Sequence, residues 1–365
     1  MQTMQCQTPD HGLAGRSILA LTRYGSLGAS SRLRFHQYAD YLRAAGAEIT
    51  FQALLDDDYV AGLYSGHKAN KFRIMGSYLS RLHTLLTARP DLLWVEKELF
   101  PYLPGAIEGL VARRGLKLAV DYDDAIFHGW DQTPWRRRLL GRKLDPLLAH
   151  ANVVTVGNDY LAAYACQHGA ARVEWLPTVV DTERYPVNDR SKEDIIKIGW
   201  IGSPVTAHFL PPVILALNAL KNELPVRLIT IGAGPLEGIE IQHDAFPWSE
   251  ETEGQLVSGL DIGVMPLDDS LFARGKCGYK LIQYMAAGRP VIASPVGVNN
   301  QIVTQEVGRL ATTTDEWISA IRELASAPVL RRRMGQAARE RVEKHYSLAA
   351  AAPRLARLLG EAIAA

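Results

Sequence analysis

Short apolar segments rich in β-branched residues alternate with longer helix-favouring segments along the whole chain. In the first half, the segments that favour strands are Ser17–Thr22, Glu48–Ala53, Leu92–Glu96, Leu118–Asp121 and Asn152–Val156. In the second half they are Ile195–Ile201, Val226–Ile231, Asp261–Met265 and Pro290–Ala293. Strand–helix alternation of this kind predicts parallel sheets that are covered by helices on both faces. We therefore predict an α/β protein of two Rossmann-like domains whose parallel sheets face each other across a cleft.

The domain boundary is expected where the strand pattern pauses. Residues 177–194 are rich in turn formers and charge, as linkers are. The 365 residues also exceed what one hydrophobic core usually supports. We predict a flexible leader at 1–15, an N-terminal domain at 16–185, a C-terminal domain at 186–345, and a C-terminal helix at 346–365 that returns to the N-terminal domain.

Composition excludes several classes of protein. Apolar residues make up 47% of the chain and charged residues 22%, which disfavours disorder, and a net charge of +1 gives no overall attraction to nucleic acid. The three cysteines are far apart in sequence and form no metal-binding spacing or disulfide framework. No apolar run approaches a membrane span, and residues 1–16 lack the apolar core of a signal peptide. We expect a cytoplasmic protein, free or loosely attached at the inner face of the membrane.

Residues 275–303, GKCGYKLIQYMAAGRPVIASPVGVNNQIV, carry the strongest chemical signal. We interpret Tyr279–Ala287 as an amphipathic helix that residues 288–290 end, followed by a buried strand and a glycine turn. Lys276 and Lys280 lie at the start of this helix, where free N–H groups and the helix dipole favour an anion. The pattern predicts a diphosphate site, although two solvated lysines at an exposed helix start would look the same.

The run 280–293, KLIQYMAAGRPVIA, resembles the donor-binding signature of the family 4 (group 1) retaining glycosyltransferases, K-L-x-E-x-M-A-x-G-x-P-V-I-A. Weaker similarity extends from Ser17 to the C-terminal helix. The resemblance implies the two-domain GT-B fold, with the acceptor handled by the N-terminal domain and a nucleotide-diphosphate sugar by the C-terminal domain. It also implies sugar transfer with retention at the anomeric carbon. We expect no cofactor and no metal, because lysines and amides neutralise the diphosphate.

The resemblance implies further donor contacts in the turns after the strands. In the N-terminal domain these are Gly28, Arg32 and Arg34, in the loop after the first strand. In the C-terminal domain they are Gly202, Ser203, Thr206, Gly232, Gly297 and Val298, with Phe246, Pro247 and Trp248 near the nucleobase. A buried Phe/Trp pair in the core is the alternative for the last group.

Two carboxylates are candidates for work at the sugar. Asp123 and Asp124 follow the strand that ends in LAVD, so they are expected at a strand end that faces the cleft. Asp124 is the first choice and Asp123 the second, while a turn or helix cap is the structural alternative. His128 lies close downstream. Lys276 and Lys280 are expected to stabilise the charge of the leaving diphosphate.

The sequence departs from the family pattern at two positions. The family often has two glutamates eight positions apart, whereas this chain has Gly275 and Gln283. An amide at Gln283 can still hydrogen-bond ribose hydroxyls. Glycine cannot replace the other carboxylate, which Asp268 or Asp269 can supply from a nearby loop. Lys276 is the substitute for a family cation that this chain lacks after the first C-terminal strand.

Two basic segments of the N-terminal domain also contain apolar residues. Residues 67–89 carry no acid, and residues 135–143 read WRRRLLGRK. Solvated helix faces are the default interpretation. Peripheral contact with anionic lipid, or with a lipid-linked acceptor, is the sharper hypothesis.

Two alternatives to glycosyl transfer follow from the same residues. A nucleotide-sugar epimerase would use the same scaffold without an acceptor. A non-catalytic subunit that binds the donor would explain the two missing glutamates. A dehydrogenase is disfavoured because no G-x-G-x-x-G follows the first strand.

Overall fold

The computed structural model describes residues 11–64, 70–130, 133–188 and 195–365. The chain divides into two compact units. The N-terminal unit comprises the residues up to Thr178 together with Ala351–Ala365, and the C-terminal unit is Val179–Ala350. The sequence-based boundary at 185/186 lies within the first residues of the C-terminal unit. Part of the predicted leader, residues 1–10, lies outside the described residues.

The N-terminal unit contains a six-stranded sheet in the order β2-β1-β3-β4-β5-β6, and every pairing is parallel. Its strands are β1 (Ser17–Tyr24), β2 (Glu48–Leu55), β3 (Leu92–Glu96), β4 (Leu118–Tyr122), β5 (Val153–Val156) and β6 (Val173–Trp175). Its helices are α1 (Ala29–Arg34), α2 (Ala39–Ala44), α3 (Asp57–Tyr64), α4 (Lys71–Thr87), α5 (Gly105–Ala112), α6 (Pro134–Leu140), α7 (Asp145–His150) and α8 (Asp159–Gln167).

The C-terminal unit contains a second parallel six-stranded sheet, in the order β12-β11-β10-β7-β8-β9. Its strands are β7 (Ile196–Ile201), β8 (Val226–Ile231), β9 (Gln242–Phe246), β10 (Ile262–Met265), β11 (Val291–Ala293) and β12 (Gly308–Leu310). Its helices are α9 (Pro211–Ala219), α10 (Glu250–Ser258), α11 (Leu271–Arg274), α12 (Tyr279–Ala286), α13 (Asn299–Ile302), α14 (Thr314–Ser326) and α15 (Pro328–His345). The last helix, α16 (Leu348–Ala364), ends the chain.

The central strands are buried on both faces, as parallel sheets require. Every residue of β3, β4, β5 and β10 is buried, because helices cover both faces of each sheet. The α/β class with two parallel sheets is confirmed. Among the described residues, no helix is both long enough and apolar enough to span a bilayer.

The sequence pattern did not predict three of the strands or one interruption of a helix. The missed strands β6, β9 and β12 lie at sheet edges or are only three residues long, and their burial pattern is weak. The helical segment after β1 is interrupted at Phe35, whose φ of −129° ends α1 before a 3₁₀ turn leads into α2. The buried ring of Phe35 packs 4.1 Å from that of Trp94, centroid to centroid, so tertiary packing decides this break.

Candidate functional site

The C-terminal sheet reverses its direction of growth between β7 and β10. The chain starts with β7, adds β8 and β9 on one side, and places β10, β11 and β12 on the other. Open parallel sheets bind ligands beyond the carboxyl ends of the strands at such a switch point. The residues that follow β7 and β10 are therefore the first candidates for a site.

Lys280 lies at this switch point. Its Nζ stands 4.4 Å above the ring centroid of the buried Trp200, near the end of β7, and donates a long hydrogen bond of 3.4 Å to Thr206 Oγ1. Burial, reinforced by the nearby charge of Lys276, lowers the pKa of Lys280 to about 7. An anion bound beside Lys280 would stabilise its protonated form, because the negative charge offsets both the desolvation and the repulsion by Lys276.

Two glycines keep the space around Lys280 open. A Cβ at Gly202 would lie 2.6 Å from Lys280 Nζ, and a Cβ at Gly232 would lie 2.7 Å from the carbonyl oxygen of Gly202. Gly232 also has a φ of +91°, which favours glycine. Their backbone amides donate to Ile231 O and Phe246 O, so these N–H groups are already used within the sheet. These two glycines contribute space, because a side chain at either position would collide with neighbouring atoms.

Lys276 lies before α12 rather than on it. The helix begins at Tyr279 after Gly278, whose φ is +69°, and Lys276 Nζ lies 4.7 Å from the ring centroid of Phe272. The helix is amphipathic, as predicted, but every residue from Leu281 to Ala286 is buried, so the helix has no exposed face after its first turn. The helix packs on β10 and against α15, so only its first turn can meet a ligand.

Gln283 faces the core of the unit rather than an open surface. Its side chain is 2% exposed, and its Nε2 donates to the hydroxyl of Tyr185 at 3.1 Å. That hydroxyl donates to Glu253, and the other oxygen of Glu253 accepts from Trp248 Nε1 at 2.5 Å. This buried chain of hydrogen bonds holds Trp248, whose Cβ lies 3.2 Å from the place where a Gly232 Cβ would be. The amide of Gln283 is thus committed to a buried hydrogen bond within the C-terminal unit, whereas the resemblance implies a direct contact with the ribose.

The other predicted donor contacts lie on turns at the carboxyl ends of the strands. Phe246 ends β9 with its side chain 38% exposed, and Pro247 follows it before the half-buried Trp248. Ser203 begins the 3₁₀ turn that contains Thr206. Asp268 is exposed and accepts from Ser270 Oγ at 2.8 Å.

The glycine turn after β11 is built against the loop that precedes α12. Gly297 has a φ of +53°, and a Cβ there would lie 2.6 Å from the carbonyl oxygen of Arg274. Val298, which follows it, is buried and precedes α13. The close approach ties this turn to the segment that carries Lys276.

The N-terminal sheet also changes its direction of growth, between β1 and β3. The buried Lys97 lies at this switch point. Lys97 follows β3 with a φ of +62°, a strained conformation for a residue with a side chain. Its Nζ lies 2.7 Å from Asp123 Oδ1 and donates to Ser30 Oγ at 3.1 Å. Burial would raise the pKa of Asp123, but the charges of Lys97 and Arg34 hold it below its usual value. The ammonium group of Lys97 thus links the end of β3 to the start of α1 and to the turn after β4, and the sequence analysis did not select this residue.

Lys97 could have been found by the same rule that selected Asp123. It is the first residue after a predicted strand, Leu92–Glu96, and strand ends are where parallel sheets bind ligands. Lys97 lies between Glu96 and Glu98, however, and a run of three charged residues is usually interpreted as solvent-exposed.

Arg34 is a structural residue, which corrects its predicted role as a phosphate contact. Its side chain is fully buried, and its Nε donates to Asp121 Oδ2 at 2.8 Å while Nη2 pairs with Oδ1 at 2.5 Å. Nη1 donates to the carbonyl oxygen of Leu176 at 2.8 Å. Burial alone would lower the pKa of Arg34, but the Asp121 carboxylate more than compensates and raises it. Every nitrogen of the guanidinium is therefore committed within the unit.

The remaining N-terminal candidates lie around the glycine loop and the end of β4. Gly28 leaves no room for a side chain, since a Cβ would lie 2.4 Å from Tyr24 Cβ. Arg32 is buried, and its Nη1 turns back toward the carbonyl oxygen of Ser26 at 3.4 Å. Asp124 is partly exposed and accepts from the amide of Ala125 at 3.0 Å. His128 bonds to the hydroxyl of Tyr160 at 2.6 Å. Both candidate carboxylates are partly exposed, and Asp123 pairs with Lys97.

Comparison with known proteins gives a family match for part of the chain and several solved structures of similar fold. Residues 197–327 match the family model of the glycosyl transferases group 1. The fold is similar to that of WaaG, a glycosyltransferase involved in lipopolysaccharide biosynthesis, with a TM-score of 0.69, 15% identity, and coverage of 94% of this chain and 99% of that one. It is also similar to HepE from Anabaena in complex with UDP and glucose (TM-score 0.66, 14% identity, 94% and 99% covered). The sucrose-phosphate synthase from Thermosynechococcus elongatus gives a TM-score of 0.65 at 15% identity, with 94% and 98% covered. No curated protein sequence matches the chain.

The two parallel sheets have the GT-B fold of these glycosyltransferases, and a part of the C-terminal unit matches the group 1 glycosyl transferases. The matched residues, 197–327, include the switch point and Lys280. The resemblance drawn from residues 280–293 is confirmed.

Proposed function

We propose that the protein transfers a sugar from a nucleotide-diphosphate sugar to a glycan, lipid-linked or small-molecule acceptor, with retention at the anomeric carbon. The observation that carries the proposal is the position of Lys280, whose Nζ lies over the ring of Trp200 and beside Thr206 at the switch point of the C-terminal sheet. HepE, of similar fold, has been solved with UDP-glucose, which supports a nucleotide-sugar donor. Retention rests on the family signature at 280–293.

The leaving nucleotide diphosphate needs its developing charge stabilised. In this proposal Lys280 and Lys276 supply that charge, and Thr206 orients Lys280 through the hydrogen bond between them. Gly202 and Gly232 leave room for phosphate oxygens, and Trp248, fixed by Glu253, borders the space for the nucleoside. No metal is needed in this scheme, because the two ammonium groups do its electrostatic work.

The acceptor side of the reaction is assigned to the switch point of the N-terminal unit. Asp124 is proposed to hold an acceptor or sugar hydroxyl. Lys97 is proposed as a positioning residue, which keeps Asp123 ionised and fixes the turn that carries Asp124. Peripheral contact with a membrane through the basic segments 67–89 and 135–143, and a cytoplasmic location, belong to the same proposal. Residues 67–69 lie outside the described residues.

Titration of UDP binding against pH tests the donor site. A phosphate that approaches Lys280 raises its pKa, so binding takes up a proton wherever the free lysine is neutral. We expect UDP affinity, measured by calorimetry, to fall as pH rises from 7 to 9, by up to roughly tenfold per unit. The protons taken up per UDP bound should rise over the same range.

The matched control for this titration is Lys221→Met, which removes an exposed lysine paired with Glu240. This variant should show the wild-type pH dependence, whereas Lys280→Met should show none. An affinity that is constant between pH 7 and 9 in the wild type contradicts the donor-site assignment.

A second prediction concerns the acceptor side. Lys97→Met should lower kcat by about a hundredfold, because the turn after β4 loses its anchor. The acidic limb of the pH–rate profile should move to higher pH, since the pKa of Asp123 rises without the ammonium. UDP affinity should be unchanged, because Lys97 and the UDP site lie in different units. Asp124→Asn should likewise lower kcat without altering UDP affinity.

Lys117→Met serves as the control for Lys97→Met, because Lys117 precedes β4 at the opposite edge of the same sheet. It should leave kcat and the profile unchanged. Equal losses of kcat in the two lysine variants, or a profile that does not move in Lys97→Met, would reject the positioning role.

The two alternative functions are separated from transfer by product analysis. An epimerase would convert a nucleotide sugar in a donor-only incubation. A non-catalytic subunit would bind UDP but release no nucleotide diphosphate with any extracted acceptor. The proposal requires nucleotide diphosphate to be released in proportion to glycosylated acceptor.

A further inference from the structure

A cavity of about 400 Å³ lies in the C-terminal unit, on the side of its sheet that is opposite to the switch point. Its wall includes Asp261 and Pro290, which directly precede β10 and β11, so the cavity lies at the amino ends of these strands. Helix α12 separates the two places, because Lys280 lies in its first turn and Gly288, just after its last turn, lines the cavity. The cavity is therefore distinct from the proposed donor site.

Positive side chains outnumber negative ones in the wall of this cavity. Two carboxylates are set against four arginines, which are Arg289, Arg331, Arg332 and Arg339. The side chain of Arg289 is buried and donates to two backbone carbonyl oxygens, and Arg339 pairs with Glu343 at 2.6 Å. These two arginines hold the unit together. Arg331 and Arg332 are the ones that are placed to meet a ligand.

Little negative charge within the protein balances Arg331 and Arg332. Arg331 Nη1 donates to the carbonyl oxygens of Leu324 and Ala325, at 2.8 and 2.6 Å, in the last turn of α14. Burial lowers the pKa of Arg331, and the carboxylate of Asp261 only partly offsets this effect. Arg332 is exposed and forms no ion pair within the part of the chain that the structure describes. An anion in the cavity would stabilise both guanidinium groups.

The residues of the wall favour a phosphoryl group as this anion. A guanidinium binds phosphate oxygens through paired N–H donors, and a phosphoryl dianion concentrates its charge where both arginines can reach it. Gln336 Nε2 donates to Glu340 Oε1 at 3.0 Å in the same wall, so polar atoms are also present for hydroxyl groups. The volume is within the range of small-molecule sites, roughly 300–1,000 Å³. It therefore leaves room for a small polar group attached to the phosphate.

We propose that this cavity binds a phosphoryl group, which Arg331 and Arg332 hold through charge-assisted hydrogen bonds. Arg289 and Arg339 add positive charge to the wall without leaving their own contacts. The two carboxylates of the wall disfavour a polyphosphate, because additional negative charges would be repelled by them. The inference goes beyond the proposed sugar transfer and does not depend on it.

Calorimetric titration of the full-length protein with ribose 5-phosphate tests the site at pH 8, where the phosphate is a dianion. Wild type should bind with a Kd below about 1 mM, whereas unphosphorylated ribose should not bind. Arg332→Met should weaken binding about tenfold, because it removes one charge-assisted contact and no contact within the fold. Arg333→Met is the matched control and should bind like wild type, since Arg333 is exposed on the same helix but does not line the cavity.

Arg331→Met should weaken binding at least as much as Arg332→Met. If it fails to fold by circular dichroism, because α14 loses its contacts with Arg331, Arg332→Met carries the test alone. Titration with inorganic phosphate distinguishes two sources of the phosphoryl group. Tighter binding of ribose 5-phosphate assigns the cavity to a phosphate ester, and equal binding assigns it to the free ion. Both results support the proposal.

Three results would overturn the proposal. They are no binding of either phosphate by wild type, an unchanged affinity in Arg332→Met, and tighter binding of succinate, a dicarboxylate, than of ribose 5-phosphate. Lys280→Met separates this cavity from the donor site, and it should bind ribose 5-phosphate like wild type. Binding that is lost in Lys280→Met but kept in Arg332→Met would place the phosphate at the donor site and reject the cavity. Failure of UDP binding alone would reject the donor site and leave the cavity standing.

Discussion

Lys280→Met is expected to reduce UDP affinity and sugar transfer at least a hundredfold while making the ligand-free protein more resistant to heat at pH 7. Binding is lost because a charge-assisted contact to phosphate disappears from a partly buried site, where such contacts are strong. Methionine keeps most of the apolar stem that packs on Trp200, so the change is mainly one of charge.

The gain in stability follows from the sign of the pKa shift. The pKa of Lys280 is about 7 in the folded protein against 10.5 in the unfolded chain, so protonation favours unfolding. This cost is fully present below pH 7 and disappears as pH rises toward 10.5. The variant should therefore exceed wild type in Tm most at pH 6 and least at pH 10.

Differential scanning fluorimetry with and without UDP measures both effects. Lys221→Met should keep the UDP-dependent rise in Tm, since it lies away from the switch point. A Lys280→Met variant that is stabilised by UDP as strongly as wild type would remove the basis of the proposed function.

Arg34→Met is expected to destabilise the N-terminal unit by about 3–5 kcal/mol, because it leaves the carboxylate of Asp121 buried without its cation. In a unit of this size such a loss lowers Tm by roughly 10 °C. The second change Asp121→Asn should recover part of it, because the buried charge is then removed from both sides.

The effect of Arg34→Met must be separated from a direct role in donor binding. Arg43→Met provides the control, since Arg43 pairs with Asp40 on an exposed surface and should cost little. Urea unfolding of the variants measures the difference. An Arg34→Met protein that unfolds like wild type but has lost UDP binding would restore the phosphate role predicted from sequence.

The two arginines of the glycine loop show where sequence reasoning stops. Arg32 and Arg34 are two residues apart beside a glycine loop, and both suit a phosphate by residue type. Arg34 is instead committed to a buried ion pair, because both carboxylate oxygens of Asp121, 87 residues away, accept hydrogen bonds from its guanidinium. Pairs that distant in sequence leave no local pattern.

Gln283 illustrates the same limit in the C-terminal unit. Its place in the signature was read correctly, and helix α12 lies where the signature put it. Its partner Tyr185 comes from the segment before β7, and Glu253 comes from α10, so neither could be inferred from the helix. The local sequence around Gln283 therefore does not indicate that its amide faces inward.

The amino-acid sequence by itself determined the α/β class, the two sheets, most strand positions and the segment that carries the donor signature. Each of these follows from local periodicity or from a motif confined to a few turns of chain, so local physical preferences suffice. The tertiary structure alone decided which charges are buried and paired, such as Arg34 with Asp121 and Lys97 with Asp123. Desolvation and pairing depend on what the fold brings within a few ångströms, and that information is spread over strands far apart in the chain.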